Sequence, residues 1–86
     1  KVSVNGCNGW VRHMGRFYES KTYTFVFDSE LSNGDAEVQL LNGKKQPLLT
    51  LNKLNPTGAM ELDAKKNRYY LRWNFHSATG KCALRW

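Results

Sequence analysis

Arginine and aromatic side chains are the residues of this chain best suited to binding chemistry. Residues 68–76 alternate in polarity, so Tyr70 and Arg72 are expected on one face of a strand. Guanidinium groups bind carboxylates and phosphates through paired hydrogen bonds, and aromatic rings stack on flat ligand surfaces. Residues 10–18 combine further rings and cations with Gly15, and Gly9 precedes them, so the segment could form a flexible loop. We therefore predict a ligand-binding face made of Trp10, Tyr18, Tyr70, Arg72 and Arg85.

These residues also have a purely structural explanation. Long polar side chains are common on a solvent-exposed sheet face, and the rings of residues 10–18 would equally fill an open end of the core. Residues 77–80 favour a loop between two final strands, which would place Arg72 opposite Arg85. Because like charges in a cross-strand pair are unfavourable, this pair would need a bound anion, a carboxylate from Glu37 or Glu61, or an aromatic ring beside the guanidinium.

Catalytic and metal-binding chemistry is poorly represented in the sequence. His13 and His76 are the only histidines, no serine or cysteine lies in a recognisable nucleophile setting, and the seven acidic residues form no acid–base pair. Two histidines and two cysteines give no zinc spacing, and the polar segment 28–35 lacks the glycine placement of an EF-hand loop. We expect no catalytic residues, no metal site and no cofactor, and hence a binding module rather than an enzyme.

Cys7 and Cys82 are the only cysteines and lie near opposite ends of the chain. The termini of a compact sheet domain often lie close together, so a disulfide between them is geometrically plausible. Closing a loop of about 75 residues would remove roughly 4 kcal/mol of chain entropy from the unfolded state. We therefore predict a disulfide, an oxidising compartment and a secreted or cell-surface location. The alternative is a pair of unpaired buried thiols.

The charge of the chain favours an anionic partner. The net charge is +6, and no apolar run is long enough to span a membrane. An acidic polysaccharide is the leading ligand class, and we expect the protein to be a monomer. Single-stranded nucleic acid is the alternative, and the predicted disulfide counts against it because most such proteins work in reducing compartments. A structural or protein-interaction domain is the third possibility.

Short alternating segments separated by turn residues indicate an all-β chain. Residues 21–27 place Tyr23, Phe25 and Phe27 on one face, and residues 28–35 resemble a loop. The dipeptide Asn42-Gly43 favours a type I′ hairpin, which would place Ala36 opposite Leu49. No segment has apolar residues at helical spacing over three turns. We predict one antiparallel β-sandwich domain of six to eight short strands covering residues 1–86.

Four segments carry a resemblance to a known family. They are Tyr-Thr-Phe-Val-Phe at 23–27, the segment 38–44 with its Asn-Gly turn, the tyrosine-containing strand 68–73, and the small-residue turn and last strand at 77–84. This pattern is similar to small bacterial extracytoplasmic jelly-roll domains of the prepeptidase C-terminal type, and covers about residues 21–86. The resemblance implies a jelly-roll β-sandwich and export, and many such domains bind glycans. It transfers no functional residue to this chain.

Overall fold

The computed structural model describes residues 2–86, which form five antiparallel strands and no helix. The strands are β1 (Val2–Met14), β2 (Ser20–Leu41), β3 (Pro47–Asn52), β4 (Thr57–Asp63) and β5 (Tyr70–Arg85). The all-β expectation is therefore confirmed. Within this part of the chain no helix is present that is long and apolar enough to cross a membrane.

The five strands form a single sheet. Its order is β1-β5-β2-β3, and β4 pairs with the first part of β2, so β2 and β5 form the centre of the sheet. The expected number of six to eight strands is wrong, and the two-sheet sandwich is not confirmed.

The segments 28–35 and 77–80, which the sequence marks as loops, are bends within continuous strands, and β1 has a matching irregularity. The pairing register shifts at residues 4–9 of β1 and 31–35 of β2, while Ser77 and Gly80 of β5 have positive φ angles. These segments lie side by side, because Cys7 is opposite Ala78 and Asn33 is opposite Thr79. Bulges bend a strand without ending it. The three strands therefore bend together, at what we call the common bend (residues 4–9, 31–35 and 76–80).

Two glycines permit the close approach of β2 and β5 at the common bend. A Cβ atom on Gly34, which has φ of 73°, would contact the carbonyl oxygens of His76 and Ser77. A Cβ atom on Gly80, at φ of 136°, would contact the carbonyl oxygen of Glu30. Only glycine adopts these angles without strain and leaves room for the neighbouring backbone.

The pairing of β2 with β3 and β4 shows how strongly β2 bends. Val26 pairs with Thr57 and Glu37 pairs with Asn52. The short link from Asn52 to Thr57 can span at most about 18 Å, whereas a straight strand from Val26 to Glu37 would cover about 37 Å. The two ends of this interval are therefore drawn together, and β3 and β4 follow one another along the same edge of β2.

The core lies on one face of the bent sheet. Tyr23, Phe25 and Phe27 are buried before the common bend, as the sequence predicted, and Val38 and Leu40 are buried after it. The buried or nearly buried core residues are Phe17, Tyr23, Phe25, Phe27, Ala36, Val38, Leu40, Leu51, Leu62, Tyr69, Leu71, Trp73, Phe75, Ala78 and Cys82. Phe17 closes one end, with its ring centroid 5.2 Å from that of Tyr23 and 4.9 Å from that of the half-exposed Trp86.

The β2–β3 hairpin forms where the sequence predicts it, but with a different turn. The Asn42 carbonyl accepts a hydrogen bond from the N–H of Lys45 at 2.8 Å, and the Asn42 N–H donates to the carbonyl of Gln46 at 3.0 Å. Lys45 has φ of 63°, whereas Gly43 has no positive φ, so the turn is not type I′. The longer turn places Leu40 opposite Leu49, and the expected pairing of Leu49 with Ala36 is wrong.

The predicted disulfide is also wrong, because both cysteines are free thiols. The termini do lie on neighbouring strands, but Cys7 is opposite Ala78 while Cys82 is opposite Val2. This offset of four positions along β5 corresponds to about 13 Å, well beyond the roughly 7 Å limit for the Cα atoms of a disulfide. Cys82 is buried, and burial raises the pKa of its thiol.

Candidate functional site: the Trp10 face

The side of the sheet opposite the core carries two rows of polar and aromatic residues. Successive cross-strand partners from β1 to β3 are Trp10, Asn74, Glu37 and Asn52 in one row, and Arg12, Arg72, Gln39 and Thr50 in the other. Residues directly opposite one another share a sheet face, so both rows point the same way. We call this surface, together with Tyr70 and Lys45 beside it, the Trp10 face.

Arg72 is held at the centre of the Trp10 face by an aromatic ring. Its Cζ atom lies 4.3 Å from the centroid of the Trp10 ring, and that of Arg12 lies 5.7 Å from the same centroid. The Arg72 Nε–H donates a hydrogen bond to Oδ1 of Asn74 at 3.1 Å. The terminal N–H groups of Arg72 make no hydrogen bond within residues 2–86, so they are free to bind a ligand.

A chain of amide groups fixes the orientation of this arginine. The Asn74 Nδ2 group donates to Oε1 of Glu37 at 3.3 Å and to Oε1 of Gln39 at 3.2 Å. Gln39 in turn donates from Nε2 to the Thr50 hydroxyl at 3.4 Å. Because Glu37 contacts Asn74 and forms no ion pair with Arg72, the aromatic ring is the feature that accommodates the guanidinium.

The cations of the Trp10 face are not neutralised by carboxylates. Among residues 2–86 the ion pairs are Lys21–Glu19 and Arg85–Asp28, and neither involves Arg12, Arg72 or Lys45. The Lys45 Nζ atom instead lies 4.9 Å from the centroid of the Tyr70 ring. Three cations without carboxylate partners and two aromatic rings therefore share one surface. Such a surface attracts an anionic ligand and offers rings for stacking.

The structure brings together three of the five predicted site residues, Trp10, Tyr70 and Arg72. Tyr18 is 76% exposed and lies in the connection between β1 and β2. Arg85 lies beyond the common bend, with its Nε atom 2.8 Å from Oδ2 of Asp28. The expected Arg72–Arg85 pair is therefore wrong, because residues 77–80 do not form a hairpin loop.

Arg12, rather than Arg85, is the cation opposite Arg72. Residues 10–18 stand out in the sequence for their rings and cations, but no local signal shows that this segment pairs with β5. Lys45 reaches Tyr70 through the β2–β3 turn, and this contact also depends on the fold. Non-local pairing is the information that sequence patterns lack.

His13 has a structural role beside the core. The Trp73 indole Nε1–H donates to Nε2 of His13 at 3.1 Å, and Nδ1 of His13 lies 3.3 Å from the Met14 carbonyl oxygen. This arrangement suits a neutral ring with its proton on Nδ1. Within residues 2–86 no three His, Cys, Asp or Glu side chains are grouped as metal ligands would be.

Comparisons of the chain with protein-family models, with curated proteins and with solved structures find no match. The resemblance to jelly-roll domains therefore stays a prediction, and the Trp10 face is the feature of this chain that points to a function.

Proposed function

We propose that the protein is a non-catalytic binding module for an anionic polysaccharide, and that the Trp10 face is its binding surface. The observation that supports this proposal is the grouping of Arg12, Arg72 and Lys45, without carboxylate partners, around the rings of Trp10 and Tyr70.

In this proposal the two parts of the surface have different roles. The terminal N–H groups of Arg72 bind a carboxylate or sulfate group on the sugar, in the paired geometry that guanidinium favours. The rings of Trp10 and Tyr70 pack against the apolar faces of neighbouring sugar units. Because Asn74 holds Nε of Arg72, the guanidinium loses little conformational freedom on binding. Acidic polysaccharides of this kind occur outside cells, so the proposal keeps the secreted or cell-surface location, which the resemblance to exported domains implies but which no disulfide supports.

Affinity electrophoresis in gels containing an acidic or a neutral polysaccharide tests the proposal. We expect alginate or hyaluronate to retard the protein, and neutral dextran to leave its migration unchanged. Arg72→Gln should weaken retardation about tenfold or more, since a hydrogen bond to a charged group contributes about 1.5–3 kcal/mol. Arg85→Gln is the matched control, because it removes the same charge from an exposed arginine beyond the common bend. Equal losses in the two variants would show attraction to net charge, and migration unaffected by every acidic polymer would contradict the proposal.

Single-stranded nucleic acid is the second candidate ligand, favoured by one specific observation. The disulfide that would count against nucleic acid is absent, since Cys7 and Cys82 are both free thiols. Phosphates would pair with Arg12 and Arg72, and a base would stack on the Trp10 ring. A fluorescent oligothymidylate at several salt concentrations tests this alternative. Binding that is weakened by Arg72→Gln, and that acidic polysaccharide does not displace, would favour nucleic acid over polysaccharide.

A further inference from the structure

In the part of the chain that the structure describes, one edge of β2 has no neighbouring strand at the common bend. On the side away from β5, β4 pairs with β2 up to Val26 and β3 pairs with it from Glu37 onward. Within residues 2–86, no strand pairs with the interval 28–36 on that side. Exposed edges of this kind present backbone donors and acceptors to any extended chain that approaches them.

The direction of the free backbone groups follows from one hydrogen bond. The Phe27 N–H donates to the carbonyl of Pro56 at 2.6 Å, so the backbone of Phe27 points away from β5. Alternate residues of a strand point to the same edge. The N–H and C=O groups of Ser29 and Leu31 are therefore directed to the free edge, before the register shift that follows Leu31.

A groove of about 790 Å³ runs along this free edge. Its lining comes from residues 29–32 and 34–37 of β2, from residues 52–54 at the end of β3, and from His76. The turn after β3 is fixed, because Oδ1 of Asn52 accepts hydrogen bonds from the N–H groups of Leu54 and Asn55, both at 2.9 Å. Leu54 is 89% exposed and offers an apolar contact beside the groove.

The charge of the groove is opposite to that of the whole protein. Glu30, Asp35 and Glu37 line it, with Lys53 as the lining cation, whereas the chain carries a net charge of +6. None of these three carboxylates forms an ion pair within residues 2–86. A free backbone edge next to unpaired carboxylates is complementary to an extended chain that carries cations.

We propose that this groove binds a basic, extended peptide segment of a partner protein, which adds to the free edge of β2 as a short extra strand. Backbone hydrogen bonds to Ser29 and Leu31 hold the segment, and its lysine or arginine side chains pair with Glu30, Asp35 and Glu37. The proposal does not depend on which ligand the Trp10 face binds, although Glu37 and Asn52 border both surfaces.

Fluorescence anisotropy with three labelled heptapeptides tests the backbone part of the proposal. The probe is Lys-Val-Lys-Thr-Lys-Val-Lys, and the second peptide has the same sequence with an N-methyl group on every residue after the first, so that neither of its edges can donate a hydrogen bond. The third replaces every lysine with glutamate. We expect the probe to bind, N-methylation to weaken binding at least tenfold, and the acidic peptide not to bind. Equal binding of the first two peptides would overturn the proposed strand addition.

Three protein variants test the location. Ser29→Pro removes an N–H at the free edge without removing a bond to β5, and should weaken probe binding about tenfold or more. Glu30→Gln should weaken it severalfold, while Glu61→Gln, an exposed change outside the groove, should not. If Ser29→Pro fails to fold, the comparison of Glu30→Gln with Glu61→Gln decides the location. Equal effects of these two variants would overturn the site, and so would a stable dimer in sedimentation experiments that buries the groove and excludes the probe.

Discussion

Replacing Gly34 with alanine is the sharpest test of the common bend. Gly34 has φ of 73°, and a Cβ atom there would overlap the carbonyl oxygens of His76 and Ser77 in the neighbouring strand, so the backbone would have to shift. Gly6 provides a matched control, since it also has a positive φ, 56°, but a Cβ atom there would have no neighbour within 4 Å. The two substitutions therefore share the backbone strain and differ in the close approach of β2 and β5.

The expected losses follow from these two contributions. A positive φ costs an alanine about 1–2 kcal/mol, and this is the whole expected effect of Gly6→Ala. In Gly34→Ala the backbone of β2 must also move away from β5. Weakening two hydrogen bonds of the ladder adds about 1–3 kcal/mol, at about 0.5–1.5 kcal/mol each. We expect Gly34→Ala to lose about 2–5 kcal/mol in total, a large part of the roughly 4–13 kcal/mol typical of a chain this size.

Urea unfolding of the two variants, followed by tryptophan fluorescence, measures this difference. An excess loss of about 2 kcal/mol in Gly34→Ala corresponds to a melting temperature about 8–16 °C below that of Gly6→Ala. Equal losses in the two variants would refute the reasoning, because β2 and β5 would then not approach as closely at Gly34 as the structure indicates.

Three further predictions follow from individual side chains. Intact mass should not change on reduction, and a thiol reagent should modify Cys7 well before Cys82, because burial raises the pKa of the Cys82 thiol and restricts access to it. The Ser20 hydroxyl, 2.6 Å from the Asp63 carboxylate, holds the pKa of Asp63 below its ordinary value. The interaction therefore stabilises the fold above about pH 4, and this stabilisation is lost as the pH falls through the lowered pKa. Ser20→Ala should raise the pKa of Asp63 in an NMR titration. Arg72→Gln should change the free energy of unfolding by less than about 1 kcal/mol. The variant loses the cation–π contact with Trp10, but it also removes the like-charge cross-strand pair with Arg12, and the two effects offset one another. A larger loss in urea unfolding would show that the arginine is chiefly structural.

Alternation of polarity predicts the buried faces of single strands correctly. Phe25 and Phe27 are buried in β2, and Leu71, Trp73 and Phe75 are buried in β5, as their spacing indicates. This succeeds because the two-residue period of a strand is a local property that the core enforces on each segment separately.

Turn residues are less informative, because the same residue types end a strand or bend it. Asn42 and Gly43 begin a true hairpin, whereas Gly34 and Gly80 lie within continuous strands. The difference depends on whether a neighbouring strand continues past the glycine, and that partner is distant in sequence. The residues that form the Trp10 face could not be predicted from the sequence for the same reason, since Arg12 lies opposite Arg72 only because β1 pairs with β5.

The common bend also explains how one strand contributes to the core at both of its ends. In β2 the members of the core cluster after the bend are even-numbered, namely Ala36, Val38 and Leu40, whereas those before it are odd-numbered, such as Phe25 and Phe27. In a regular strand all of these could not share a face, because side chains alternate strictly. The register shifts at residues 31–35 change this alternation, so that odd-numbered residues before the bend and even-numbered residues after it face the same core.

The same register shifts lie along the free edge that borders the acidic groove. Glu37, which follows them, belongs to both the groove and the Trp10 face. The geometry of both proposed binding surfaces therefore depends on the glycine that allows β2 to bend against β5.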